Sequence, residues 1–292
     1  MARFQPEGKD RTMPYAIRKD HRLTHDGKLV EAMFSPNTGG VFVEPPHILV
    51  VHFTYGASGR SSAEWFRDKD NRSSAAHLVI DRDGSAIQCV PFDTVAWHAG
   101  KSSWNGIDGL NRHALGIELA NWGYLQRRGG GWTSYTGVPI ADPVTAVHEN
   151  GNPDGSRTPI GWEPYPEPQF GALVGVVRAL VDAYGISEIV GHDDIAPSRK
   201  WDPGPAFDKA RLRGAIFGGR DCDGDSGRTV LPAEGLNLRK GPGIAFDVLR
   251  LLAQGIRVRP LEADGRWMQV AVLDAAGATI DSGWVAARYL SE

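Results

Sequence analysis

The run PHILVVHFT, residues 46–54, is apolar at nearly every position and has the length of a β-strand. A strand with one wet face alternates, so an unbroken apolar run asks for cover on both faces and hence for a sheet enclosed between other layers. Two further short runs, ALGIELAN at 114–121 and ISEIV at 186–190, read as strands of the same kind. AHLVIDRDGSAIQCVPF, residues 76–92, reads as a hairpin, because two alternating halves flank Asp-Arg-Asp-Gly. Apolar residues at 173, 176, 177, 180, 181 and 184 fall at helical spacing, with Gly185 as a stop signal. A shorter helix is predicted over 62–70, capped by Ser61 or Ser62, with Trp65 and Phe66 turned inward. Strands and helices thus alternate, which predicts an α/β fold: a mixed central β-sheet flanked by helices. Sites in such sheets gather at strand ends. His52 lies near the end of the first run, and His192 stands one residue beyond ISEIV, after Gly191.

Four segments follow from composition. Residues 1–40 are polar and punctuated by Gly and Pro, as expected of an extended N-terminal arm; His21 and His25 in it are spaced for one helical face but have no acidic or thiol partner nearby. Residues 41–217 hold the strand and helix signals. GGRDCDGDSGRT opens a linker over 218–230, and residues 231–292 read as short strands between turns, a small all-β barrel. Asp221, Asp223 and Asp225 resemble the start of a calcium loop, but Ser226 replaces the required glycine and Pro232 the bidentate glutamate. Residues 122–168 lack periodicity and are rich in Gly, Pro, Trp and Tyr, which favours an aromatic wall beside a site.

Acidic residues outnumber basic ones by 35 to 32 without a basic stripe, so nucleic acid is not an expected partner. No apolar run approaches the roughly 20 residues that span a bilayer. The N-terminus lacks the apolar core of a secretory signal, so synthesis as a cytoplasmic protein is expected, with any action on a cell wall following release or export. Cys89 and Cys222 are expected to be unpaired thiols.

The loop GHDDIAPSRKWDPG, residues 191–204, carries His192, Lys200 and Asp202. With His52 they offer two imidazoles and one carboxylate, the usual ligands of a catalytic zinc that keeps one position open for water. In an extended segment Lys200 and Asp202 would project together while Trp201 turns away to pack. Spacing alone leaves a second reading open, in which His52 is a buried core residue and Lys200 and Asp202 sit in a surface turn. Glu118, between Ile117 and Leu119, points to the face opposite theirs; that face could equally be solvent.

The motifs HFT, SSAAHLVIDRDG, VAWHAG, GIELAN and GHDDIAPSRKWDPG occur in the order and spacing of the zinc-dependent N-acetylmuramoyl-L-alanine amidases of the type-2 class, which includes the peptidoglycan recognition proteins. The chain resembles that family over about residues 45–215. LNLRKGPG and GWVAARYL resemble the first and last signatures of bacterial SH3-like domains, which commonly bind cell wall. The resemblance implies that His52, His192 and Asp202 hold one Zn²⁺ and that Glu118 and Lys200 form the catalytic pair. It also implies that His98, Trp97, Asn121, Arg199 and His77 contact substrate, with His77 and His98 each having a structural reading as well. Asp194 is expected to order its loop by accepting from backbone amides. The implied activity is hydrolysis of the amide between the lactyl group of N-acetylmuramic acid and L-alanine of the stem peptide. The barrel favours intact peptidoglycan as substrate. The alternatives are a cytoplasmic recycling amidase acting on anhydro-muropeptides and a recognition module that binds muropeptide without cutting it.

Overall fold

The structure is a computed structural model, and it describes residues 15–217, 228–274 and 279–291. Two compact units divide the chain, Met1–Gly218 and Gly219–Glu292. The first contains strands β1 (Glu31–Ala32), β2 (Ile48–Phe53), β3 (Leu78–Ile80), β4 (Ala86–Gln88), β5 (Ala114–Leu119) and β6 (Glu188–Gly191). Its helices are α1 (Gly59–Arg67), α2 (Glu167–Tyr184), α3 (His192–Ile195) and α4 (Lys209–Phe217).

These six strands form one mixed sheet in the order β6-β2-β5-β3-β4-β1. Strands β6, β2, β5 and β3 run parallel, β4 returns antiparallel to β3, and β1 lies parallel to β4. The unbroken apolar character of β2 is explained by its two neighbourhoods. Leu49 and Val51, with Leu115, Ile117 and Leu119 of β5, pack against Leu173, Val176, Val177 and Leu180 of α2. Ile48, Val50 and Ala114 face the other way, into a cluster with Ala99, Leu110, Val190, Ile195 and Ala196. Odd-numbered positions of both strands therefore face α2, and even-numbered positions face the layer that carries residues 98–112 and α3.

Helix α2 ends at Gly185, whose φ of 71° is the left-handed conformation that a terminating glycine takes without strain. Its fully buried Gln169 donates through Nε2 to the carbonyls of Ile80 and Ala120, 3.0 Å each, and so ties the helix to the ends of β3 and β5.

Three expectations are corrected. The described part of the N-terminal segment is not an extended arm: strands Tyr15–Ile17, Leu23–His25 and Lys28–Leu29 form a small sheet, Tyr15 and Leu23 join the main core, and β1 extends the central sheet. His21 sits in a turn at φ 59°, and His25 stacks on Tyr15, so neither lies on a helix. Helix α1 starts earlier than predicted, because Ser58 caps it by accepting from the Ser61 amide. Phe66 is then buried, but Trp65 is 52% exposed; neighbours on a helix stand about 100° apart, and on α1 it is Phe66 that turns to the core. Residues 122–166 carry two hairpins, Gln126–Arg128 with Gly131–Thr133 and Val144–Ala146 with Ile160–Trp162.

The second unit is all-β. Strands β7 (Arg228–Thr229), β8 (Leu236–Arg239), β9 (Val248–Leu252), β10 (Arg257–Asp264), β11 (Trp267–Leu273) and β12 (Thr279–Ala286) pair antiparallel in the order β7-β10-β11-β12-β8-β9. Leu238, Leu252, Val258, Val270, Val272 and Val285 form its own core. Asp221, Cys222, Asp223 and Asp225 of the linker lie outside the described residues.

Candidate metal centre

The parallel strands bring the key side chains to one end of the sheet. His52 and Glu118 are each the last residue but one of their strands, β2 and β5, and are paired in register. Gly191 of β6 pairs with Val51, so His192, the next residue, arrives beside His52. All three stand where parallel strands end, as the sequence position of the two histidines predicts.

The loop after β6 is fixed by its own polar groups. Asp194 Oδ2 accepts from the Gly191 amide at 2.7 Å, as expected of an aspartate in a turn. The Asp193 amide donates to the Asp202 carbonyl, also at 2.7 Å, and closes the loop. Lys209 Nζ lies 2.6 Å from Asp194 Oδ1, 3.2 Å from Asp193 and 3.5 Å from Glu149. That ammonium already supplies the cation this acidic group needs. Arg199 and Lys200 donate their amides back to the Ala196 carbonyl, so the segment is a turn rather than an extended strand. Strict alternation fails there, and Trp201 lines the cleft alongside Lys200 and Asp202 instead of turning away.

His52 Nδ1, His192 Nδ1 and Asp202 Oδ2 lie 2.9 Å from one another on every side of a triangle. All three residues are buried. His192 Nε2 is 3.1 Å from the Ala99 carbonyl, which can only accept. In a neutral ring the proton therefore sits on Nε2, and Nδ1 presents a lone pair. Burial alone would raise the Asp202 carboxyl, but the imidazoles of His192 and His52 outweigh it and hold the group well below the usual carboxylate range. The imidazoles depress the carboxyl only while they present an N–H or a charge to it; with Nδ1 bare, the contact of His192 with Asp202 sets a lone pair against an anion, an arrangement that a shared cation would stabilise. Two nitrogens and one oxygen at one point fit the donor set of a zinc ion. Burial lowers His52 to about 4, so its ring is neutral near pH 7 and able to ligate.

The triangle forms the floor of an open cleft of about 540 Å³, which Glu118, His98 and Lys200 also line. Glu118 Oε2 is buried without a hydrogen-bond partner. Burial first, and then the charge of Asp202, pushes its carboxyl well above the ordinary value, with Lys200 opposing. Trp65 of α1 lines the cleft, as do Tyr55, Tyr124 and Tyr135. Tyr55, at φ 53°, stacks on Tyr135 and is tilted against Tyr124, with ring centroids 4.8 Å apart in both pairs. The aromatic composition of 122–168 pointed to a wall of this kind without singling out its members. Trp65 was hidden by its place in an amphipathic helix.

The remaining candidates divide. Arg199 lines the cleft and donates to the Ala99 and Lys101 carbonyls. His98 lines it and is buried, with Nδ1 3.1 Å from His52 Nε2. His77 and Asn121 have backbone partners instead. His77 Nε2 donates to the Thr94 carbonyl while Nδ1 accepts from the Gly116 amide, both at 2.9 Å. Asn121 donates to the Glu163 carbonyl and accepts from the Gly123 amide. Neither of these two, nor the partly exposed Trp97, is among the residues that line the cleft.

The sequence profile of the family described as N-acetylmuramoyl-L-alanine amidase matches residues 43–205, and that of the bacterial SH3 domain matches residues 234–291. The chain belongs to the N-acetylmuramoyl-L-alanine amidase family. It is 32% identical over 188 residues to the 1,6-anhydro-N-acetylmuramyl-L-alanine amidase AmpD of Escherichia coli, covering 58% of this chain and 82% of that protein. Against the N-acetylmuramoyl-L-alanine amidase AmiD of Escherichia coli it is 34% identical over 168 residues, 55% of this chain and 49% of that one. A solved structure of an AmpD derivative superposes with a TM-score of 0.45 at 29% identity, over 64% of this chain and 94% of the other.

Proposed function

We propose that the chain is a zinc-dependent N-acetylmuramoyl-L-alanine amidase that cuts between the lactyl group of N-acetylmuramic acid and L-alanine in intact peptidoglycan. The observation that carries this reading is the triangle of His52, His192 and Asp202 with Glu118 on the same cleft floor. Bound by the three donors, a zinc ion supplies a Lewis acid and a water that is acidic near neutral pH. Glu118, whose Oε2 has no other partner, takes the proton of the attacking water and returns it to the departing alanine amine. Lys200 lines the same cleft as a cation and stabilises the oxyanion that develops on the lactyl carbonyl. Trp65 and the tyrosine cluster line the same cleft and offer flat apolar faces to the substrate.

A second reading, a recycling amidase acting on anhydro-muropeptides, is supported by the 32% identity to AmpD. The bacterial SH3 match over 234–291 favours the wall itself, because a tethered binding module raises the enzyme's concentration on an insoluble polymer. Purified sacculi and a soluble anhydro-muropeptide, digested side by side, separate the two. Release of stem peptides with a free alanine amine from sacculi is expected; release from the soluble substrate alone would replace the first reading by the second. A protein that binds sacculi and cuts neither substrate with zinc present would be a recognition module.

A further inference from the structure

The geometry points to His98 as the residue that fixes which nitrogen of His52 is free for a metal, a positioning role exerted from outside the ligand set. This rests on the zinc reading above. His98 Nε2 is 3.2 Å from the Ala114 carbonyl. A carbonyl only accepts, so Nε2 carries the proton, and in a neutral ring Nδ1 is a bare acceptor. His52 Nε2 lies 3.1 Å from that acceptor, with the rings edge to face. The hydrogen bond forms only if His52 holds its own proton on Nε2. Its Nδ1 is then a lone pair, directed at His192 and Asp202. Both rings are buried, which disfavours a second proton on either.

The next residue does the same for the other imidazole, since the Ala99 carbonyl accepts from His192 Nε2. One dipeptide therefore sets both tautomers. It is held by a single amide: Asn111 Oδ1 accepts from the His98 amide at 3.0 Å and from the Ala99 amide at 2.7 Å. Opposite the ring, β5 makes room with a glycine. A Cβ at Gly116 would fall 2.4 Å from His98 Cγ, so a side chain there would displace the ring. His98 thus reaches the cleft as a strut behind His52, with both ring nitrogens already in use.

The test compares His98→Leu, His98→Asn and Asn111→Ala in the full chain, with zinc affinity measured by competition against a chromogenic chelator. Outer partners of metal-bound histidines typically contribute 10–100-fold in affinity, and H98L is expected to weaken zinc by roughly that factor. H98N places an amide oxygen on Cγ, the atom that bears Nδ1 in the histidine, within reach of His52, and should restore most of the loss. Nitrogen-15 spectra of the chelated protein should find His52 as the Nε2–H tautomer in wild type and as a mixture in H98L, a change that a loss of packing would not produce. Zinc binding by H98L within twofold of wild type, or an unmixed Nε2–H tautomer in it, overturns the inference. Should H98L not fold, N111A carries the test: at least threefold weaker zinc is expected, and an unchanged constant overturns it. Absence of zinc binding by wild type would instead overturn the zinc reading itself.

Discussion

His52 and Glu118 face each other in register across the parallel strands β2 and β5, on the face opposite α2. Directly paired residues of neighbouring strands point the same way and lie about 4.8 Å apart. The carboxylate therefore reaches the His52–His192–Asp202 cluster because of strand pairing alone, and needs no loop to aim it.

Exchange of Glu118 for Gln should separate chemistry from binding. The amide keeps the shape of the side chain but cannot take a proton. Bound zinc should stay at one equivalent while turnover falls roughly 10²- to 10⁴-fold. Because burial already disfavours the ionised carboxyl, E118Q should melt at or above the wild-type temperature. Lys200→Ala should also keep its zinc and lose about 10²- to 10³-fold in turnover. Wild-type rates in either variant would remove that residue from the mechanism.

Dialysis against a chelator should abolish hydrolysis, and one equivalent of zinc should restore it. An ion bound only by the folded triangle would add about 2.7 kcal/mol of stability at 100 times its dissociation constant. Differential scanning calorimetry with and without zinc measures this, and an unmoved melting temperature would contradict a site made by these three residues.

Gln169→Leu tests the tie between α2 and the sheet. It strands the carbonyl of Ala120, while that of Ile80 keeps the Ala120 amide at 2.9 Å. An unsatisfied buried acceptor costs about 1–3 kcal/mol. Partial relief from losing the unpartnered Oε1 leaves an expected cost of about 2 kcal/mol, read from urea denaturation.

Cys89 should be inert in the folded protein. Burial, followed by the charge of Glu118, pushes its thiol up to about 12. At pH 8 the thiolate, the reactive form, is therefore scarce. In a Cys222→Ser background, labelling by an aromatic disulfide reagent should run at least about a hundredfold slower than in denaturant. Equal rates would mean that Cys89 is not buried.

Each unit has its own core, so residues 1–217 alone should fold. Turnover of a soluble muramyl peptide by this fragment is expected within about threefold of the full chain, with a larger loss on sacculi. Equal loss on both substrates would assign the C-terminal unit a role other than wall binding.

The central sheet and α2 were legible because their cause is local. The run 46–54 could only be a strand covered on both sides, and the spacing from 173 to 184 could only bury one helical face. The early strands escaped because they are two to four residues long and bury at most two side chains each, as Leu23–His25 does, and in Lys28–Leu29 and Glu31–Ala32 none, too few to make a period. The ligand triangle was suggested by residue type and strand ends, yet its closure depends on β6 pairing with β2 across more than 130 residues, which no local pattern encodes. The partners of His77 and Asn121 were likewise invisible, because both bond to backbone brought in by the fold.

The alternation that sends even-numbered residues of β2 and β5 to one face has a consequence for how the chain can vary. A one-residue deletion within either strand would turn its ligand or acid toward α2 and swing a valine or leucine into the cleft. Neither strand can change length without silencing the enzyme. Growth and shrinkage are free only in the connections, such as the hairpins between Tyr124 and Trp162, and it is there that members of such a lineage can diverge in what they admit to the cleft.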